Sequence, residues 1–208
     1  MRNAFMSNKI NTLLLSGVIT ALFVLASSSA QAWTLRQLGD IFRKEGDEAG
    51  TNSGFCMITP NPEKGLFIEE EPLFIWRGRV NKIEVFHLTE YERPLWQKSD
   101  ELFNRQQIHY QGPPLEKGRG YHVRINESSE RYYFEILSEE HEDFEFLQSI
   151  QDGVRSANLG DLVSGHDTLK QLDDDKEWFT VLATTIFDLD QYGEDDKAVL
   201  RDAFCNPN

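Results

Sequence analysis

Hydrophobic and polar positions alternate with a period of two through the middle of the chain, from Gly65 to Leu137. Clusters of Gly, Pro and Asn separate short apolar or aromatic runs there, and this spacing is typical of β-sandwiches. The runs predict seven short strands, at residues 66–68, 73–76, 80–88, 95–97, 107–110, 121–125 and 132–136. We therefore predict a small sandwich of the immunoglobulin or fibronectin type over residues 55–137.

One turn within this region has a more specific pattern. Residues 115–125 read LEKGRGYHVRI, so that Tyr121 enters a late strand directly after Gly118-Arg-Gly120. In such sandwiches a tyrosine at this place bonds back to the backbone of the turn, an arrangement called the tyrosine corner. Trp76, on an early strand, is expected to be the indole of the core.

Helical spacing of apolar residues flanks the strand region on both sides. Before it, residues 35–45 predict a short amphipathic helix within an N-terminal segment, 33–54, that ends in a glycine-rich loop. After it, three helices are expected: one capped by Ser138 and closed by Gly153, one capped by Asp173 or Asp174 and ended by Gly193, and one over 194–205. The predicted fold class is α+β, with an acidic helical segment, 138–208, docked on the sandwich.

The first 32 residues have the pattern of an export signal. Arg2 and Lys9 precede an apolar run from Leu13 to Leu25, which is shorter than the roughly 20 residues that a membrane-spanning helix needs. Alanines at positions 30 and 32 fit signal cleavage before Trp33. We expect an exported protein, periplasmic or extracellular, with no membrane span after cleavage; an uncleaved anchor helix is the alternative.

Charge is distributed unevenly along the chain. The formal net charge is −14, and removal of the two basic residues of the signal makes it −16. Residues 33–126 carry 13 basic and 14 acidic side chains, whereas residues 127–208 carry 6 and 21. This balance argues against nucleic-acid binding. The acidic half is interpreted either as a solubilising surface or as a surface for a cationic partner, such as calcium or a basic protein.

Two cysteines, Cys56 and Cys205, lie near opposite ends of the expected mature chain. In an exported protein two cysteines most simply form one disulfide. A nucleophilic thiolate is the alternative, but neither cysteine belongs to a Cys-x-x-Cys motif or has an obvious basic neighbour in sequence. A Cys56–Cys205 bond would attach the C-terminal helix to the start of the sandwich.

Several of these residues resemble a cyanobacterial family of exported proteins of unknown function, the domain of unknown function 928 type. The resemblance covers residues 56–125 and rests on Cys56, Gly65-Leu-Phe-Ile68, Pro72-Leu-Phe-Ile-Trp76, Ile83-Glu-Val-Phe86, Leu95-Trp96, Pro114-Leu115, Gly118 and Tyr121. It implies a sandwich-like segment before a helical tail, and no known activity. In that family a second cysteine is expected soon after the tyrosine strand, where this chain has none, so Cys205 would replace it.

The motifs of common enzyme classes do not occur in the sequence. It has no Gly-x-Ser-x-Gly, no His-Glu-x-x-His, no glycine-rich phosphate loop and no dinucleotide fingerprint. His109 and His122 fall between inward-facing strand residues, so both are expected to point outward. They are interpreted as ordinary surface side chains; meeting across a sheet to bind zinc or act as a base is the alternative.

An acidic segment near the C-terminus begins like a calcium loop. Asp188, Asp190 and Gly193 fit its positions one, three and six, but Tyr192 and Val199 occupy positions five and twelve, where oxygen ligands are required. The weak calcium candidates are Asp188, Asp190, Glu194, Asp195 and Asp196. The alternative is a helix end followed by a helix start, where acidic residues are favourable.

The aromatic residues suggest a second kind of site. Trp96, Tyr91 and Tyr110 would stack on a sugar if they lay on an open face, although such residues are more often part of a core. Three functions remain open: a non-catalytic exported binding or assembly module whose ligand, an unknown protein or glycan, is not identified, a carbohydrate-binding domain or glycan-directed enzyme, and a calcium-stabilised acidic module. The first is the leading hypothesis, with no cofactor.

Overall fold

The computed structural model describes residues 54–61, 65–156 and 177–205. The export signal, the helix expected at 35–45 and the proposed caps at Asp173 and Asp174 lie outside these ranges.

The described chain is α+β, with two sheets and three α-helices. Its strands are β1 (Cys56–Thr59), β2 (Gly65–Phe67), β3 (Leu73–Arg77), β4 (Ile83–His87), β5 (Trp96–Lys98), β6 (Gln107–His109), β7 (Arg119–Ile125) and β8 (Tyr132–Ile136). Its helices are a short 3₁₀ turn (Leu102–Asn104), α1 (Phe144–Ser156), α2 (Glu177–Asp188) and α3 (Glu194–Cys205).

The strands form one sheet of three and one of five. The three-stranded sheet has the order β1-β3-β6, and the five-stranded sheet has the order β2-β8-β7-β4-β5. All pairs are antiparallel except β2 with β8, which is parallel. Most strands that follow each other along the chain lie in different sheets, so the chain crosses repeatedly from one sheet to the other, as in sandwich-like arrangements.

The main core lies between the two sheets. Alternate residues of β7 point into it, with Tyr121, Val123 and Ile125 all buried. Trp76 of β3 is fully buried in the same cluster, as expected for the core indole. A side chain of this size contributes about 1.5 to 3 kcal/mol by being removed from water.

A second core joins the helices to the three-stranded sheet. Ile58 of β1 and Ile75 of β3 face this side, and they pack with apolar residues of all three helices, among them Leu147, Trp178 and Leu200. The helices thus pack on the three-stranded sheet and on β2, the edge strand of the five-stranded sheet. The helical segment is docked on the sheets.

Two sequence predictions about this region are confirmed. The Sγ atoms of Cys56 and Cys205 lie 2.07 Å apart, at disulfide distance, and connect β1 to the end of α3. The hydroxyl of Tyr121 accepts a hydrogen bond of 2.8 Å from the backbone N–H of Glu116, five residues upstream.

Of the helices that the structure describes, none combines the length and the apolar content needed to cross a bilayer.

Other elements differ from the prediction. Strand β1 was not among the seven predicted strands. Three of its four residues are buried, so no alternation of apolar and polar positions marks it in the sequence. Helix α1 begins at Phe144, since residues 138–143 form turns instead of continuing from a Ser138 cap. The helix also continues through Gly153 to Ser156. One glycine weakens a helix without ending it.

Candidate functional site

The helices pack against the outer face of the five-stranded sheet at its edge strand β2, where Leu66 belongs to the helical core. Among the described elements, the main helical contacts are with β1, β2 and β3, which leaves the outward side chains of β4, β7 and β8 beyond the area where the helices pack. We call this surface the open face and define it by its residues: Glu84, Phe86, Leu88, Tyr91, Gly120, His122, Arg124, Arg131, Tyr133 and Glu135. Its position follows from the strand alternation, because these residues fall between the inward-facing ones.

Three large apolar side chains are exposed on the open face. Leu88, Tyr91 and Tyr133 expose 44%, 47% and 45% of their surface. Leu88 lies over Gly120, where a β-carbon would come within 3.0 Å of its Cδ2 atom, so the glycine makes room for the leucine. Exposed apolar side chains that are gathered on one surface, as opposed to scattered singly, mark a surface used for binding.

His122 lies beneath these residues at the centre of the face. Its ring stacks on Phe86 at 5.0 Å between centroids and 7° between planes, and on Tyr91 at 5.3 Å and 29°. Tyr133 is its cross-strand partner on the other side, at 6.0 Å. The side chain is only 1% exposed, and its Nδ1 atom is buried without a hydrogen-bond partner. Burial, together with the positive charges of Arg131 and Arg124, lowers the pKa of His122 to about 4.

A charged group adjoins this aromatic row. Glu84, only 2% exposed, accepts from Arg124 Nε at 2.9 Å and from Lys82 Nζ at 3.1 Å. Burial raises the pKa of Glu84, but the hydrogen bonds from Arg124 and Lys82 outweigh it and leave the pKa below its usual value. The Arg124 guanidinium also lies 4.8 Å from the centre of the Phe86 ring. Arg124 is therefore held by two partners.

Arg131 is placed differently. Its guanidinium carbon lies 4.5 Å from the centre of the Tyr91 ring, a cation–π contact. In the part of the chain that the structure describes, no carboxylate lies within salt-bridge distance of it, and its Nε atom is buried without a partner. The Arg131 guanidinium thus retains donors that no described protein group satisfies.

Only one of the three stacking candidates lies on this surface. Tyr91 does, whereas Tyr110 is 1% exposed and Trp96 is partly buried against it in the inter-sheet core, with ring centroids 5.2 Å apart. The expectation that Tyr110 stacks on a ligand is wrong for this structure. The reason is that Tyr110 and Trp96 are in the inward phase of the strand alternation. As a consequence, burial raises the pKa of Tyr110 to about 12.

The two strand histidines do not meet. His109 is on β6 in the three-stranded sheet and His122 is on β7 in the five-stranded sheet, so a shared zinc ion or base is not formed by this pair. His109 is exposed as expected and its Nε2 lies 3.0 Å from Asp188 Oδ1 of α2. His122 points away from the core, as its phase predicts, but the prediction of an exposed side chain is wrong because Tyr91 and its neighbours cover it.

A small cleft of about 40 Å³ lies at the other side of the molecule, between the three-stranded sheet and helices α1 and α2. His109 and Asp188 line it, as does Glu69, whose carboxylate accepts from Gln151 Nε2 and from Arg155 Nη2. The two hydroxyls in its wall, those of Thr184 and Thr185, donate to carbonyls of their own helix. The polar groups named above are thus bonded to one another or to the backbone.

The calcium candidates are not brought together with further ligands. Asp188 faces His109, and Glu194 accepts from Arg201 Nη2 at 3.2 Å. Across residues 54–61, 65–156 and 177–205, no group of three or more His, Cys, Asp or Glu side chains is arranged to hold a metal ion. The remaining candidates, Asp190, Asp195 and Asp196, lie around the start of α3. A calcium-stabilised acidic module stays a prediction, which a calcium titration followed by melting tests.

Sequence reasoning missed most of the open face. Phe86, His122 and Tyr133 were assigned to strands, and their shared outward phase places them on one surface, but the pairing of β4, β7 and β8 was needed to align them in a row. An aromatic residue in the outward phase of each of two strands, Phe86 and Tyr133, was the available signal. Arg131 carries no such signal, because it precedes its strand.

No family model, no curated protein and no solved structure matches this chain. The resemblance to the cyanobacterial family stays a prediction.

Proposed function

We propose that this protein is a non-catalytic, exported binding module and that the open face is its binding surface. The observation that carries the proposal is the gathering of Leu88, Tyr91 and Tyr133 on the outer face over β4, β7 and β8, away from the edge strand β2 on which the helices pack. Tyrosine and arginine are the residue types enriched in binding surfaces, because they combine a large contact area with a polar end. Arg131, stacked on Tyr91, adds the second type.

Rigidity of the face supports the same function. Tyr91 lies in the loop after β4, yet its ring stacks on His122 and also contacts the Arg131 guanidinium. Three side chains from separate segments therefore hold one another in place. A surface that is ordered before it meets its ligand loses less conformational entropy on binding. The absence of enzyme motifs in the sequence favours binding over catalysis.

We further infer that the sandwich is immunoglobulin-like. The supporting features are the tyrosine corner at Tyr121, the buried Trp76, and strands that alternate between a three-stranded and a five-stranded sheet. Export is inferred from the signal pattern of residues 1–32, and the cysteine pair at disulfide distance is compatible with an oxidising compartment.

The test compares a double variant of the open face with a matched control. The protein, purified as cells produce it, is immobilised and exposed to a glycan array and, separately, to secreted and envelope proteins. Ligands held by the wild type are expected to be lost from Tyr91→Ala/Tyr133→Ala. They are expected to remain on Phe146→Ala, which truncates a similarly exposed aromatic on α1.

Three results would count against the proposal. They are equal retention of every ligand by the double variant, loss of ligands from the Phe146 control, and a wild-type protein that holds nothing from either pool. Circular dichroism melting of all three proteins shows whether a loss of binding is a loss of fold.

A further inference from the structure

We infer that the open face binds a saccharide that carries a carboxylate, and that Arg131 receives this carboxylate beside the ring of Tyr91. The inference rests on the proposed function and names the chemical class of its ligand. It follows from how the sheet register arranges charges and rings on the face.

The register places two arginines side by side. Val123 of β7 is opposite Tyr132 of β8, and continuing this antiparallel register brings Arg124 opposite Arg131 on the outer face. The next pair on the same face is His122 with Tyr133. Like charges directly opposite each other on neighbouring strands are unfavourable. A bound anion would relieve this repulsion.

The two arginines are not equivalent. Arg124 is compensated by the buried carboxylate of Glu84, to which its Nε donates at 2.9 Å. Arg131 lacks such a partner among the residues that the structure describes, and its guanidinium carbon lies over the Tyr91 ring, 4.5 Å from its centre. Because Arg131 Nε is buried, the donors left for a ligand are those of Nη1 and Nη2, and this pair matches the two oxygens of a carboxylate. The anion site is therefore assigned to Arg131.

The surroundings of Arg131 favour a ring-shaped ligand. Tyr91 and Tyr133 are each nearly half exposed, and their ring centres lie 5.3 and 6.0 Å from that of His122. The surface is a sheet face and not a pocket, so it suits a ligand that lies flat across several strands. Pyranose rings have apolar C–H faces that pack on aromatic rings while their hydroxyl groups stay in water.

Other anionic ligands fit less well. An extended peptide gains its main-chain hydrogen bonds at a sheet edge, whereas Arg131 and Tyr133 lie on the face. Nucleic acid carries a dense line of phosphates, which a chain of net charge −14 repels. A uronic-acid sugar has a single carboxylate per ring, and screening over about 8 Å at physiological ionic strength limits its repulsion from the acidic helices.

The probes are short oligosaccharides of galacturonate, mannuronate and glucuronate, each compared with its methyl ester, which keeps the ring and removes the charge. Isothermal titration calorimetry measures the binding of each probe to the folded protein, purified in the form in which cells produce it. We expect at least one acid oligomer to bind, with an affinity that falls as salt is added. We expect the methyl ester to bind the wild type at least about tenfold more weakly than the acid does, and the acid to bind Arg131→Gln at least about tenfold more weakly than the wild type. Arg105→Gln, at an exposed arginine that directly follows the 3₁₀ turn, is the control and should bind like the wild type.

The outcomes separate this inference from the proposed function. Equal binding of acid and ester, or full affinity in Arg131→Gln, overturns the carboxylate site. If Tyr133→Ala still abolishes binding in that case, the open face remains the binding surface. Binding of a glutamate-rich peptide as tightly as of any uronate oligomer assigns the face to protein ligands and also overturns the inference, as does a lack of binding to all three acid oligomers.

Discussion

Phe86 and His122 are cross-strand partners whose rings lie 5.0 Å apart and only 7° from parallel, on the outer face of the five-stranded sheet. This pairing buries an imidazole beside two arginines, and it lowers the pKa of His122 to about 4. In the unfolded chain the same histidine has a pKa near its ordinary value of about 6.5. The unfolded state therefore binds the proton more readily than the folded state.

The first prediction is that the protein loses stability as the pH falls from about 6.5 to 4. The contribution of His122 is fully present above pH 6.5, because neither state is protonated there, and it declines as the unfolded state takes up the proton. We expect a loss on the order of 2 kcal/mol across this window from His122. Urea unfolding at a series of pH values between 4 and 7.5 measures it.

A variant isolates this residue from the carboxylates that titrate nearby. His122→Phe keeps a ring between Phe86 and Tyr91 and removes the titrating group, so its stability should fall less steeply over the same window. His109→Gln, which alters an exposed histidine and leaves His122 in place, should keep the wild-type dependence. Parallel pH curves for the wild type and His122→Phe would contradict the assignment.

The second prediction concerns the hydroxyl of Tyr121. It accepts a hydrogen bond from the Glu116 N–H, and Tyr121→Phe removes only the oxygen. We expect the free energy of unfolding to fall by about 1 kcal/mol, the usual net value of one such bond. Chemical denaturation measures the change. Tyr133→Phe removes the hydroxyl of a half-exposed tyrosine on the opposite side of the same sheet and should change the free energy by less than about 0.5 kcal/mol. Equal effects of the two variants would refute the prediction.

The Tyr121 turn also illustrates what the sequence was able to predict. Local signals were sufficient where one short segment determines its own structure, as in Gly118-Arg-Gly-Tyr121 or in the amphipathic run that forms α3 over Glu194–Cys205. The disulfide was predictable because a chain with a predicted export signal and two cysteines has only one internal pairing available.

The open face was not predictable in the same way. Its centre, His122, is aligned with Phe86 by one strand pairing and with Tyr133 by another, and each pairing joins segments that are separated along the chain. A strand's own alternation tells which side a residue faces, but not whether a loop will fold back over it. Tyr91 does so here, and it converts an outward histidine into a buried one.

The third prediction contrasts two glycines. Gly153 was expected to close α1 but lies inside it, and a β-carbon there would meet nothing within 4 Å. Gly153→Ala should therefore raise the free energy of unfolding by about 0.5 to 1 kcal/mol, the difference in helix propensity. At Gly65 a β-carbon would overlap Pro60 and come within 3.0 Å of Phe134 Cβ. Gly65→Ala should lower the free energy of unfolding by about 1 to 3 kcal/mol through overpacking. Thermal melting of both variants checks the opposite signs, and a loss of stability in Gly153→Ala would contradict the first.

The last prediction concerns the Cys56–Cys205 bond, which closes a loop of sequence separation 149. The bond joins β1 of the three-stranded sheet to the end of α3, so it restricts the unfolded chain and also holds the helical layer on the sheets. Cys56→Ala/Cys205→Ala should lower the free energy of unfolding by about 2 to 5 kcal/mol.

Reduction of the wild type by dithiothreitol should give the same loss, whereas the double variant should be insensitive to the reductant. Hydrogen exchange locates the effect: amides of α3 should exchange faster without the bond, because the helix loses its covalent attachment, while amides of β4 and β7 should change only as far as global stability falls. Uniform acceleration in α3, β4 and β7 would mean that the bond acts on the unfolded chain alone. Unchanged stability in the double variant would mean that the apolar contacts of α3 with β1 and β3 already suffice to hold the helix in place.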